Sequence, residues 1–445
     1  MKFNIDPTKE PILKSVVLLS IPMMLEMGAQ NVFNLVDTFF VSKIAYQAIG
    51  ALVTSSIIAV LFLSVSVGIS TATGMYIATY WGAKKYKRAK FLYSNSIILT
   101  LFISVTFSAV VLIFLSDILR IVGLKGETLI FAKQYLSISA MGFLFNFILS
   151  VNNATLRSLS LPSFSLRVMV FTNVLNAFLD PFFIFYLHLG IKGAAVSSIV
   201  SIFFGVIMQF VLLKKNDFYF IGLRINKNII EKIIKKGFFA TLHLFFRISS
   251  MLVLIKVIGI LSQPAISAYG VVIRVYQILL FMVFGLANTA FVIVGQNFGA
   301  KLTDRVRKGA FSVIIFAVIL IGTLNFVLYF NRDFLLSLFI DNEYVKNMAK
   351  SVMLFYALSY PFVIVSTISS RISMALHDTK RPSMVNLFNL WFFQLPLAYF
   401  LSLKFQENGV WASIAISNFT AFVLNFSIMY LNIKRVQKTY GDTKI

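Results

Sequence analysis

Apolar residues along this chain gather in long runs rather than in the two-residue alternation of a half-buried strand. Runs of more than 20 residues recur from end to end, each long enough to cross a hydrocarbon core about 30 Å thick as a helix. An unpaired peptide group costs several kcal/mol in lipid, and the signature of a barrel is missing, so these runs predict helices. They fall at 11–40, 47–79, 89–116, 127–157, 161–187, 190–214, 231–259, 265–297, 308–330, 343–371, 382–402 and 408–434. The expectation is an all-α membrane protein with twelve transmembrane helices.

The longest polar interruption, Lys214 to Lys236, reads as a cytoplasmic linker with a short amphipathic helix. It divides the chain into one six-helix bundle over 1–213 and another over 237–445. The halves resemble each other. GISTATGMYIATYWGAKKYKRAK aligns with GLANTAFVIVGQNFGAKLTDRVRK, pairing Gly68 with Gly285, Gly82 with Gly299, Ala83 with Ala300, Lys84 with Lys301 and Arg88 with Arg305. Gly193 and Ser197 match Gly409 and Ser413, after the proline-bearing DPFFIF and LPLAYF. Six crossings return the chain to its starting side, so the repeats run parallel and predict a pseudo-two-fold axis along the membrane normal. Rocking of one bundle against the other is the motion expected of such an arrangement.

Composition agrees: 59% of the 445 residues are hydrophobic and 13% charged, against roughly 25% charged in a soluble domain. The net charge of +24 raises the question of nucleic acid. Its location answers that question, because 28 of the 40 Lys and Arg lie on the side of the N-terminus, nine on the other side and three within spans. This asymmetry predicts a multi-pass protein of the cell membrane with both termini cytoplasmic, and no soluble basic domain is left to hold nucleic acid. The first apolar stretch is too long for a cleaved leader and reads as the first span. Cysteine is absent, so no thiol chemistry is available. His188, His243 and His377 are too scattered to predict a metal site, and no phosphate-binding loop appears. The reading is a transporter rather than an enzyme, without a cofactor, driven by an ion gradient.

A charge within the bilayer costs at least ~2.5 kcal/mol, so each buried acid is a candidate functional group. Three qualify: Glu26, Asp37 and Asp180. At ~100° per residue Glu26, Gln30 and Asp37 form one stripe on the first helix, and Asn176 stands one turn before Asp180 on the fifth. Oxygen-rich groups of this kind suit a sodium ion, and a carboxylate suits a proton. The alternative is that the acids only join helices by hydrogen bonds.

Three blocks together resemble the multidrug and toxic compound extrusion (MATE) family. They are SIPMMLEMGAQNVFNLVDTFFVSKI, with Pro22, Gln30 and Asp37; WGAKKYKRA with its counterpart GQNFGAK; and NVLNAFLDPFFIF followed by GIKGAAVSS. The resemblance runs over essentially the whole chain and points to the archaeal, DinF-like branch. It implies a sodium or proton site at Asp37, Asn176, Asp180 and Ser198, where serine replaces the usual threonine, and a bend at Pro22. It also implies that Tyr135 and Asn153 line an N-terminal substrate cavity, to which Met169, Glu26 and Gln30 are assigned as well.

The second half lacks the acids that one branch of the family carries in its seventh and eighth helices. It has His243, Arg247, Lys256 and Arg274 instead. Arg247 and Lys256 either snorkel to the surfaces or face a cavity. In the latter case Arg247 and Arg274 would favour an anionic ligand. The expected function is therefore export of organic, cationic or amphipathic small molecules by antiport with sodium or protons, from a chain that acts among membrane lipids and is able to do so as a monomer. The alternative is a flippase for a lipid-linked saccharide or another anionic amphiphile, using a cavity lined by Arg247 and Arg274.

Overall fold

A computed structural model describes residues 5–441, and among them every regular element is helical. In chain order these are α1 (Ile12–Val41), α2 (Tyr46–Gly82), α3 (Tyr86–Ile113), α4 (Leu115–Ile121), α5 (Gly126–Met141), α6 (Phe143–Ser158), α7 (Pro162–Pro181) and α8 (Ile191–Lys215). There follow α9 (Lys227–Leu261), α10 (Gln263–Gly299), α11 (Thr303–Phe330), α12 (Arg332–Ser337), α13 (Glu343–Ala375), α14 (Lys380–Leu387) and α15 (Leu395–Tyr440). A π-helical turn, Phe182–Tyr186, extends α7, and another, Phe388–Gln394, joins α14 to α15.

Ten stretches are long and apolar enough to cross a bilayer, and α5 with α6, bent by 51°, supply an eleventh. The last of the ten, Lys380–Tyr440, has 61 residues and would measure about 90 Å if straight. That length exceeds any single crossing. It breaks at Gln406, whose φ of 51° and ψ of −135° are not helical, so the stretch makes two crossings and the total reaches twelve. The bend between α5 and α6 lies at Gly142, where a Cβ would come within 2.6 Å of Ile199 Cγ1.

The internal repeat extends to backbone conformation. Lys84 (φ 57°) pairs with Lys301 (φ 60°), Ser160 (φ 61°) with His377 (φ 67°), and Gly190 (φ 56°) with Gln406 (φ 51°), at offsets of 217, 217 and 216. After α2 the amides of Lys84 and Lys85 bond to Trp81 O and Tyr80 O; after α10 those of Lys301 and Leu302 bond to Phe298 O and Asn297 O. Both are the left-handed helix stop that satisfies the last carbonyls, here built without glycine.

The chain forms two compact units. One is Leu25–Thr241; the other joins Ile5–Met24 to the chain from Leu242 onward. The two boundaries, after Met24 and after Thr241, are themselves 217 residues apart. In the first unit α2 packs along α5 and α6 while α7 pairs with α8, around a core that includes Phe143, Phe147 and Leu136. In the second, α13 packs against both α10 and α15.

Glycine allows one close crossing in each unit. A Cβ on Gly68 of α2 would lie 2.5 Å from Gly237 O at the start of α9, and one on Gly285 of α10 would lie 2.6 Å from Met24 Cα in α1. Small residues at a crossing let backbones approach, which drives helix association where lipid removes the hydrophobic incentive. Segment 216–226 is held on α3: Ser94 Oγ accepts from Ile221 N at 2.7 Å, Asn95 Oδ1 accepts from Asn226 N at 2.7 Å, and Lys90 pairs with Asp217 at 3.1 Å. From Lys227, α9 continues unbroken to Leu261.

Candidate functional site

Asp180 sits in the last turn of α7, one turn after Asn176 and directly before Pro181. Proline supplies no amide to the turn behind it, and the helix widens there into the π-helical turn. Gly190, in a conformation that glycine adopts readily, then starts α8. Gly193 rests against the π-helical turn, since a Cβ there would lie 2.7 Å from Phe183 C. This contact brings Ser197 and Ser198 of α8 to the level of Asp180, and α1 adds Asp37 one turn before its end.

The side chains converge. Asn176 Nδ2 donates to Asp180 Oδ1 at 3.3 Å and lies 3.5 Å from Ser197 Oγ, which itself donates to Asp180 Oδ1. Ser198 Oγ donates to Asp37 Oδ2 at 3.0 Å. The two carboxyl groups adjoin closely enough to repel one another, and the Tyr135 side chain lies within electrostatic reach of both. Asp37 is 6% exposed; Asn176 and Asp180 are fully buried.

Three acceptor oxygens in this cluster, Asp37 Oδ1, Asn176 Oδ1 and Asp180 Oδ2, are buried without a well-aligned hydrogen-bond donor among the described residues, and the Asp37 and Asp180 carboxyls lie close enough to share a proton. A buried acceptor left unpaired costs ~1–3 kcal/mol, more when charged. Two adjoining buried carboxylates also need a neutralising positive charge. The cluster thus offers what a small hard cation or a shared proton requires: negative charge, spare oxygen lone pairs and a dry surrounding.

Other expected residues lie elsewhere. Glu26, expected on a substrate cavity, is closed in: Arg157 Nη1 pairs with its Oε1 at 2.6 Å, the side chains being 2% and 16% exposed. Arg157 belongs to the last turn of α6 and neutralises the acid. Gln30, on the same stripe, is exposed. Asn153 Oδ1 accepts from Gln209 Nε2 at 2.7 Å, which joins α6 to α8, and Met169 is buried. α1 continues as one helix through Pro22.

Within the second unit Arg247 lines a half-open cavity, with its guanidinium 4.9 Å from the Phe284 ring. Such a contact contributes ~0.5–2 kcal/mol, less than the ~2.5 kcal/mol or more that a charge costs at the centre of a bilayer. Arg274 is exposed and does not line this cavity, contrary to the expected pairing with Arg247; Lys256 is exposed too. His243 lies 3.1 Å from Asn386 Nδ2.

Ser197 was not among the expected site residues, although its place in the repeated GAAVS block marked it. Arg157 left no signal, because a basic residue near a helix end looks the same whether it faces water or a buried acid.

Apolar helices enough for twelve crossings, with buried carboxylates within the first unit, define a polytopic membrane transporter rather than an enzyme. The MatE family model matches residues 22–182 and again 240–400, and the chain belongs to this family of membrane transporters. It is 25% identical to "Probable multidrug resistance protein YpnP" of Bacillus subtilis over 93% of each chain. It is 28% identical to "Multidrug export protein MepA" of Staphylococcus saprophyticus, over 77% of this chain and 76% of the relative. Among solved structures it is similar to a MATE protein in a bent conformation, with a TM-score of 0.92, 21% identity and 98% of each chain covered.

Proposed function

We propose that this chain exports organic, cationic or amphipathic small molecules by alternating access, coupled to inward movement of sodium or protons, in the manner of the DinF-like branch. The observation that carries this reading is the set of buried oxygens without a well-aligned donor on Asp37, Asn176 and Asp180 beside the Ser197 and Ser198 hydroxyls. The named functions of YpnP and MepA support export.

In this reading the cation binds Asp37 and Asp180 from outside and shifts the population between outward- and inward-open states by its differential affinity. Coupling is reciprocal: the cation lowers cargo affinity by the factor by which cargo lowers cation affinity. The asymmetry of basic residues supports cytoplasmic termini in the cell membrane, and one chain holds both six-helix halves, the expected 214–236 linker being reduced to 216–226 because α9 already begins at Lys227.

The test is gradient-driven efflux from membrane vesicles, with lipophilic dyes of both charges and separate sodium and proton gradients. Asp37→Asn and Asp180→Asn should each abolish export. If both variants still export, the proposed coupling site is wrong.

A further inference from the structure

The cavity of the second unit has a volume of about 350 Å³, large enough for a two-ring organic molecule. Its walls are mostly aromatic and aliphatic, with Tyr269, Tyr276, Tyr356 and Tyr360 among them, and Gln394 and Asn418 add amides. Arg247 is the one charged residue among the lining side chains. No carboxylate forms an ion pair with it among the described residues.

The hydroxyls around Arg247 are placed to assist it. Those of Tyr356 and Tyr360 lie within electrostatic reach of the guanidinium. Tyr360 donates to Tyr276 O at 3.4 Å, while Tyr276 Oη is buried without a hydrogen-bond partner among the described residues. An unneutralised guanidinium and a spare hydroxyl donor in one largely apolar cavity ask for an acceptor carrying negative charge, and the guanidinium fork matches a carboxylate, sulfonate or phosphate. The aromatic walls ask for a flat apolar body behind that charge.

We infer that this cavity binds a small amphipathic organic anion, whose charged group meets Arg247 and the Tyr276 hydroxyl while its apolar part lies among the tyrosines. The inference rests on the export reading only in treating the occupant as cargo. A cationic cargo would be repelled by Arg247, so of the cationic and amphipathic molecules proposed above this cavity favours an amphipathic one that carries negative charge.

The test uses the full chain in detergent, without any gradient, and a matched probe pair: dansyl sulfonate, an anion, and dansylamide, its neutral analogue. Trp411 stacks on Tyr269 at 5.5 Å between ring centroids, and Trp391 lies between the lining residues Leu390 and Gln394, so energy transfer from these two tryptophans to the dansyl group reports occupancy. Dansyl sulfonate should bind saturably at one site, and Trp391→Phe combined with Trp411→Phe should remove most of the transfer while affinity, read by equilibrium dialysis, persists. Arg247→Gln should weaken sulfonate binding by about tenfold or more and Tyr276→Phe by about threefold, with dansylamide changed little by either. The Tyr276→Phe arm keeps the test decisive if Arg247→Gln fails to fold.

Equal binding of the two probes, or sulfonate binding indifferent to both substitutions, would overturn the inference. Arg88→Ala, at an exposed arginine outside both sites, should leave binding unchanged in this assay. Sulfonate that binds through Arg247 yet is never exported would count against the transport reading and leave the anion site standing.

Discussion

Glu26 and Arg157 form an ion pair at 2.6 Å between α1 and α6, with the carboxylate almost wholly enclosed. Removing one member of such a pair leaves an uncompensated buried charge, at a cost of about 3–5 kcal/mol. Glu26→Gln should therefore lower thermal stability in detergent by an amount of that order. Adding Arg157→Met should recover much of the loss, because the remaining charge is then gone. A double variant as unstable as the single one would show that the pair's energetics lie elsewhere.

The Asp37 and Asp180 cluster makes a second prediction, separate from transport. A cation that binds only the folded state stabilises it, by about 2.7 kcal/mol at a hundredfold excess over Kd. Melting of the purified protein should rise with sodium, with acidification or with both, and the increment should vanish in Asp180→Asn. Since that substitution removes one of two adjoining negative charges, it should also raise melting in the absence of the cation.

Gly190 and Gln406 occupy the same backbone conformation, near φ 55° and ψ −135°. Only glycine adopts it without strain, and other residues lose roughly 1–3 kcal/mol there. Gln406→Gly should stabilise the protein by about 1 kcal/mol, part of the gain being lost to the greater freedom of the unfolded chain. Gly190→Gln should destabilise it by a similar or larger amount. Paired melting curves of the two variants check both signs.

Arg305 holds the start of the chain. Its Nη2 donates to Pro7 O at 2.8 Å and to Glu10 O, and its Nε donates to Asn297 Oδ1 at 3.2 Å. Its repeat partner Arg88 is exposed. Arg305→Ala should speed hydrogen exchange across residues 5–15, whereas Arg88→Ala should leave that segment unchanged.

Much of this was legible in the amino-acid order because lipid permits few solutions. Long apolar runs have to be helices, and the break between 402 and 408 showed as a polar gap in an apolar stretch. Asn176 and Asp180 were legible as one point for a related reason, since carboxylates do not enter hydrocarbon without a partner, whereas the meeting of Asp37 with them was carried by the family resemblance. What stayed hidden depends on helix rotation. Where a helix is apolar all round, sequence does not say which face a single charge meets, so Arg247 and Arg274 looked alike although one lines a cavity and the other is exposed. One residue along α8 is a turn of 100°. That step separates Ser197 on Asp180 from Ser198 on Asp37, and no pattern resolves it.

The boundaries after Met24 and Thr241 have a bearing on assembly. Each half of the polypeptide lends the opening of its first long helix, 12–24 or 227–241, to the unit made mostly of the other half. Cutting the chain within 216–226 would therefore give two fragments, neither of which encodes a finished unit. Expressed alone, each should fail; produced together, they should reassemble only by trading those helix openings, which makes the unbroken gene the simplest way to ensure that the trade takes place.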